Sequence, residues 1–243
     1  DLHHPVVALA RVRVERDHGV VLRWCFDIPG ESGVPAAALT RDIALGLRPE
    51  GLIAFGLGGP EIGVPRAQFV PFFDEARAAG LRSVPHAGET TGPETVWDAL
   101  HLLGADRVGH GIAAADDERL LNHLAEQQIP LEVCPTSNVC TGAVRSLAEH
   151  PLPRLVAAGV PVSINSDDPP MFATTLGREY EVAADLLDLD HQGVAELARA
   201  AVRQSFLDGP GQRALLAEID DYDAAWPRDR AGAAADHTSP ASR

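Results

Sequence analysis

The stretch Leu81-Arg82-Ser83-Val84-Pro85-His86-Ala87-Gly88-Glu89 carries a short apolar run into a histidine and a carboxylate. Two later stretches end in the same way. Gly109-His110-Gly111 follows Arg107-Val108, and Asn165-Ser166-Asp167-Asp168-Pro169 follows Val160 to Ile164. Three expected strands therefore finish in groups that bind metals or move protons. Such endings meet in space when the strands are parallel and their C-terminal ends share one face.

Outward from these three runs, the chain repeats one rhythm. Strands are expected near Val20 to Ile28, Leu52 to Gly58, Leu81 to His86, Arg107 to His110, Leu131 to Pro135 and Pro161 to Asn165. Between them, Ala36 to Leu47, Ala67 to Ala79, Pro93 to Leu103, Glu118 to Gln127 and Leu152 to Ala158 carry apolar residues at helical spacing. This βαβα order predicts a parallel sheet. Gly80 and Gly104 stand where helix C-termini favour a left-handed residue, and Pro93 suits a first helical turn. A (β/α)8 barrel fits the catalytic strand endings. A doubly wound sheet would place a G-x-G-x-x-G after a strand, and Gly56-Leu57-Gly58-Gly59 lacks that spacing. Helices are expected at Gly177 to Leu187, Gly193 to Phe206 and Gln212 to Trp226, followed by a disordered tail from Pro227 to Arg243. The expected organisation is one barrel-type domain over 1–226.

Bulk properties narrow the function. With 243 residues the chain has room for one large core. A formal charge of -15 repels phosphate backbones, which argues against nucleic acid as a partner. No apolar stretch approaches the ~20 residues that span a bilayer, so no membrane partner and a cytoplasmic location are expected. Cys25, Cys134 and Cys140 form no C-x-x-C pair and are expected to be buried free thiols. His101, His123, His150 and His191 are expected on the surface.

Four segments carry a specific resemblance: Ser83 to Thr90, Val108 to Gly111, Glu132-Val133-Cys134-Pro135-Thr136-Ser137-Asn138, and Ser163 to Pro169. In order and spacing they resemble the adenosine deaminase family of zinc amidohydrolases, from about Val20 to Trp226. The resemblance implies a zinc-bearing (β/α)8 barrel that replaces the 6-amino group of a purine with oxygen. It implies His86 and Asp167 as zinc ligands, a metal that lowers the pKa of water toward ~7, and Glu89 as proton donor to ring N1. His110 would orient or deprotonate the attacking water. Asp168 would bond the purine at N7 and the Gly59 backbone N–H would bond N3. Taken singly, each residue has a plainer reading: a core histidine, a helix N-terminal acid, or a turn with an N-cap.

The family's H-x-H on the first strand is not found here, since His3-His4-Pro5 has the wrong spacing. About six of eight barrel strands are therefore expected, in a chain that begins in mid-domain. The primary functional expectation is deamination of adenosine or a related adenine nucleoside. Phe55 to Glu61 and Pro169 to Phe172 resemble a bacterial branch that includes enzymes for aminodeoxyfutalosine, the alternative substrate. A non-catalytic fragment that pairs through its open sheet edges is the second class of reading; the oligomeric state stays open.

Overall fold

The computed structural model describes residues 3–226. Six strands, β1 Trp24–Pro29, β2 Leu52–Gly58, β3 Arg82–Ala87, β4 Val108–His110, β5 Leu131–Val133 and β6 Val162–Ile164, hydrogen-bond in chain order. Every neighbouring pair is parallel. Parallel neighbours cannot be joined by a tight hairpin, so each connection crosses back over the sheet. After α1 (His3–His18), the crossovers contain α2 (Gly33–Leu47), α3 (Val70–Ala78), α4 (Pro93–His101), α5 (Glu118–Gln127), and the pair α6 (Pro135–Cys140) and α7 (Leu152–Ala157). After β6 come α8 (Pro169–Phe172), α9 (Leu176–Leu187), α10 (His191–Gln204) and α11 (Gly209–Ala225).

The helices stop and start for local reasons. Gly80 and Gly104 take left-handed backbone just after α3 and α4, where a side chain would be strained. Asp117 caps α5 by accepting from the backbone N–H groups of Arg119 and Leu120. Apolar faces of these helices pack on the outer face of the sheet in two clusters. One gathers Ile28, Phe55, Phe69 and Phe73 under β1 and β2; the other gathers Val96, Leu120, Leu131, Leu155 and Ile164 under β3 to β6. Phe55 and Phe73 meet edge to face, with ring centroids 5.3 Å apart. The sheet is rolled: the charges of Glu132 on β5 and of Arg107 just before β4 act on the Cys25 thiol of β1.

Several expectations are corrected. The apolar Val20 and Val21 are half exposed and precede the first strand. Pairing starts at Trp24 because its register partner, Leu52, opens β2. The fifth strand ends at Val133, and Pro135 starts a helix that apolar periodicity did not reveal. Cys25 and Cys140 are exposed, leaving Cys134 as the one buried cysteine. His150 is 4% exposed and lies inside the protein. The tail from Pro227 falls outside the described residues. Among those residues, no helix is long and apolar enough to cross a membrane.

Candidate active site

Register aligns the three strand endings. His86 on β3 pairs with Gly109 on β4, and Ala87 pairs with His110. A Cβ built at Gly109 would lie 2.4 Å from His86 Cδ2, so the glycine makes room for the imidazole. The two histidine rings stand edge to face, centroids 4.9 Å apart. Asp167, three residues beyond β6, completes the group. His110 Nε2 is 3.6 Å from Glu89 Oε2 and 3.8 Å from Asp167 Oδ2.

Backbone strain marks the same residues. His110 and Asp167 have φ of 59° and 52°, left-handed values that side chains other than glycine disfavour. Holding a residue there costs about 1–3 kcal/mol, and such positions cluster at functional sites. At both positions the strain turns a side chain into the mouth of the sheet.

Neighbouring groups aim each side chain. Ser137 Oγ donates to Asp167 Oδ2 at 2.7 Å, and Thr141 Oγ1 donates to Glu89 Oε1 at 2.8 Å. The turn that carries Glu89 is gripped from below. Glu61 Oε2 accepts the backbone N–H groups of Glu89, Thr90 and Thr91 at 2.9, 2.7 and 3.2 Å. Its other oxygen meets Arg66 at 2.7 Å, with both side chains almost fully buried. Arg66 also donates to the His86 carbonyl at 3.3 Å, which ties the end of β3 and the turn after it to one ion pair. On the far side, the buried Glu179 accepts from the Thr136 backbone and holds the start of α6, the helix that presents Ser137 and Asn138.

Electrostatics separate the titratable groups. Burial raises the Glu89 carboxyl above its ordinary pKa, against the lowering pull of the Thr141 bond and of His86. Burial, reinforced by His86, pushes His110 down to about 4, so its imidazole is neutral at pH 7. His150, buried behind it, is likewise held down at about 4.

His86 and Asp167 are chemically suited to hold a divalent metal. The described residues give the His86 ring an edge-to-face contact and no hydrogen bond, which leaves its ring nitrogens available. Asp167 keeps Oδ1 free beside the oxygen that Ser137 bonds. A neutral imidazole and a carboxylate are suitable donors for zinc. His110, Cys134 and Asp167 also bring ligand atoms within 4.8 Å of one another. However, burial and neighbouring carboxylates push the Cys134 thiol pKa up, and a protonated thiol ligates poorly.

Of the remaining sequence-predicted residues, Asp168 is exposed at the N-cap of α8 but makes no capping bond, so the cap reading does not absorb it. Glu89 precedes α4 and lies outside its first turn, where Glu94 is the acidic residue. Gly59 follows β2 at φ 83°, and an added Cβ would strike Glu31 Oε2. Met171 is 75% exposed. Sequence reading missed Glu61, Arg66, Thr141 and His150. Glu61 lay in a quoted turn, Gly58-Gly59-Pro60-Glu61, but nothing local distinguishes a buried carboxylate clamp from a surface acid.

The family model described as adenosine deaminase matches residues 4–222. The chain is 64% identical over 219 residues to an aminodeoxyfutalosine deaminase of Streptomyces avermitilis, covering 89% of this chain and 61% of that protein. It is 42% identical over 170 residues to an adenosine deaminase of Klebsiella pneumoniae, covering 70% and 51%. It thus spans about half to three fifths of the length of these curated relatives. The solved adenine deaminase from Arthrobacter aurescens superposes with a TM-score of 0.81 at 33% identity, covering 90% of this chain and 67% of that one. The six parallel strands with alternating helices are the architecture of the TIM-type barrel amidohydrolases.

Proposed function

Because the chain belongs to the adenosine deaminase family, we propose that the protein hydrolytically deaminates an adenine nucleoside, giving the 6-oxo product and ammonia. The carrying observation is the meeting of Glu89 and Asp167 within 4 Å of the His110 Nε2 at the ends of parallel strands. Aminodeoxyfutalosine is the first substrate to test, since the Streptomyces avermitilis protein that bears its name is 64% identical, against 42% for the adenosine deaminase. Adenosine is the second.

In this reading Glu89 delivers a proton to purine N1, which makes C6 a better electrophile. The raised pKa supports that role, because a donor must still hold its proton near working pH. Asp168 donates a carboxyl O–H to N7 of the base and the Gly59 N–H donates to N3, which fixes the ring against Glu89. His110 orients the attacking water. His86 and Asp167, with two further ligands of the H-x-H kind, would hold zinc, whose chemistry is to lower the pKa of water toward ~7.

The test is zinc content and turnover of aminodeoxyfutalosine, adenosine and adenine, on this chain and on a version extended upstream in its reading frame. Stoichiometric zinc and nucleoside turnover in the extended protein are expected. Activity confined to adenine would overturn the nucleoside assignment, and zinc without any turnover would favour a non-catalytic binding role.

A further inference from the structure

Behind His110 lies a buried relay. His110, Asn138 and His150 are 3%, 0% and 4% exposed, so their polar atoms are left to bond one another. Asn138 sits on α6, and His150 follows the 3-10 turn Leu147–Glu149. Pro151 then turns the chain so that the first residue of α7, Leu152, directs its backbone N–H back at the His150 ring.

That backbone amide fixes the direction of the relay. The Leu152 N–H donates to His150 Nδ1 at 3.1 Å. A backbone N–H cannot accept, so Nδ1 carries a lone pair and the proton of the neutral ring is on Nε2. His150 Nε2–H faces Asn138 at 3.2 Å, which requires the amide carbonyl Oδ1 on that side. The amide nitrogen therefore points the other way, 3.1 Å from His110 Nδ1. An amide NH2 only donates, so His110 Nδ1 accepts and the His110 proton is on Nε2. Each assignment follows from its predecessor, and none depends on a chosen flip of the amide.

We propose that Asn138 and His150 are positioning residues that lock His110 in its Nε2–H tautomer, making it a hydrogen-bond donor to the site and not a base. The Nε2–H then points toward Glu89 Oε2 and Asp167 Oδ2, where an attacking water would have to lie. Of the two roles for His110, orienting the water or deprotonating it, the relay selects the first. It also withdraws His110 as a metal ligand, because Nε2 is protonated and the Nδ1 lone pair is held by Asn138. The consequence for turnover rests on the deaminase reading; the tautomer itself does not.

Two-bond 1H–15N correlation spectra of histidine-labelled protein at neutral pH read the tautomer directly. The expected parent spectrum shows His110 with its proton on Nε2, and His150 likewise. In Asn138→Asp a carboxylate replaces the amide and can only accept, so His110 should gain a proton on Nδ1 while the shape of the site is kept. In the active protein, kcat should fall at least ~10-fold in Asn138→Asp with KM little changed, the pattern for loss of an interaction made in the transition state. His150→Gln, whose amide can still donate to Asn138, should keep more activity than His150→Phe. A parent His110 protonated on Nδ1 would overturn the proposal without any variant, as would an unchanged tautomer in folded Asn138→Asp. A parent with the Nε2–H tautomer and no turnover of any adenine nucleoside would sink the deaminase reading and support the relay.

Discussion

Burial raises the Glu89 carboxyl above its ordinary pKa, and the sign of that shift links the residue to stability. The folded state holds the proton more tightly than the unfolded chain. The resulting stabilisation is complete below the unfolded pKa and is lost as pH rises through the folded value. Wherever the pH ionises Glu89, the buried charge is therefore a cost, which Glu89→Gln removes while keeping an acceptor for Thr141. The metal-free Gln variant should melt no lower than the parent at neutral pH, with its advantage vanishing in acid. In the active protein it should lose about 100- to 10,000-fold in kcat, the usual contribution of a positioned acid. A lower melting temperature at neutral pH would contradict the account. Gly109→Ala acts on the neighbour, since its methyl would land 2.4 Å from His86 Cδ2. Overpacking of this kind costs about 1–3 kcal/mol, and the displaced imidazole should weaken metal binding. Denaturant unfolding and metal titration of the same sample check both.

Between elements, the Glu61–Arg66 pair joins the loop after β2 to the ends of β3 and to the Glu89 turn. Removing one partner leaves the other charge buried without compensation, so Glu61→Ala should destabilise by about 3–5 kcal/mol in urea unfolding. A loss below ~1 kcal/mol would mean the clamp is not what holds the turn. Strand and helix existence were readable because apolar periodicity is local: all six expected strands formed. Their limits were less so. Val20 and Val21 look like strand, yet a strand needs a partner, and β2 offers one only from Leu52. Pro135 to Cys140 turned helical because Glu179, more than forty residues later, bonds its first turn.

As a whole, the molecule presents a rolled six-stranded parallel sheet whose outer edges, on β1 and β6, pair with no other strand among the described residues. Unpaired edges recruit other strands. The 243-residue chain should therefore self-associate with rising concentration in sedimentation velocity, and a version supplying neighbouring strands should remain smaller; a monomer at all concentrations would count against open edges. The sequence by itself determined the parallel α/β rhythm and the six strands, and it offered His86, Glu89, His110, Asp167 and Asp168 as candidate site residues, because periodicity and short motifs are properties of contiguous chain. Only the tertiary structure decided which residues hold those groups in place. Glu61, Thr141, Asn138 and His150 reach the site from loops and helices 12 to 52 positions away from their partners. Burial of Glu61, Asn138 and His150, and the direction of all these hydrogen bonds, exists only once distant segments come together.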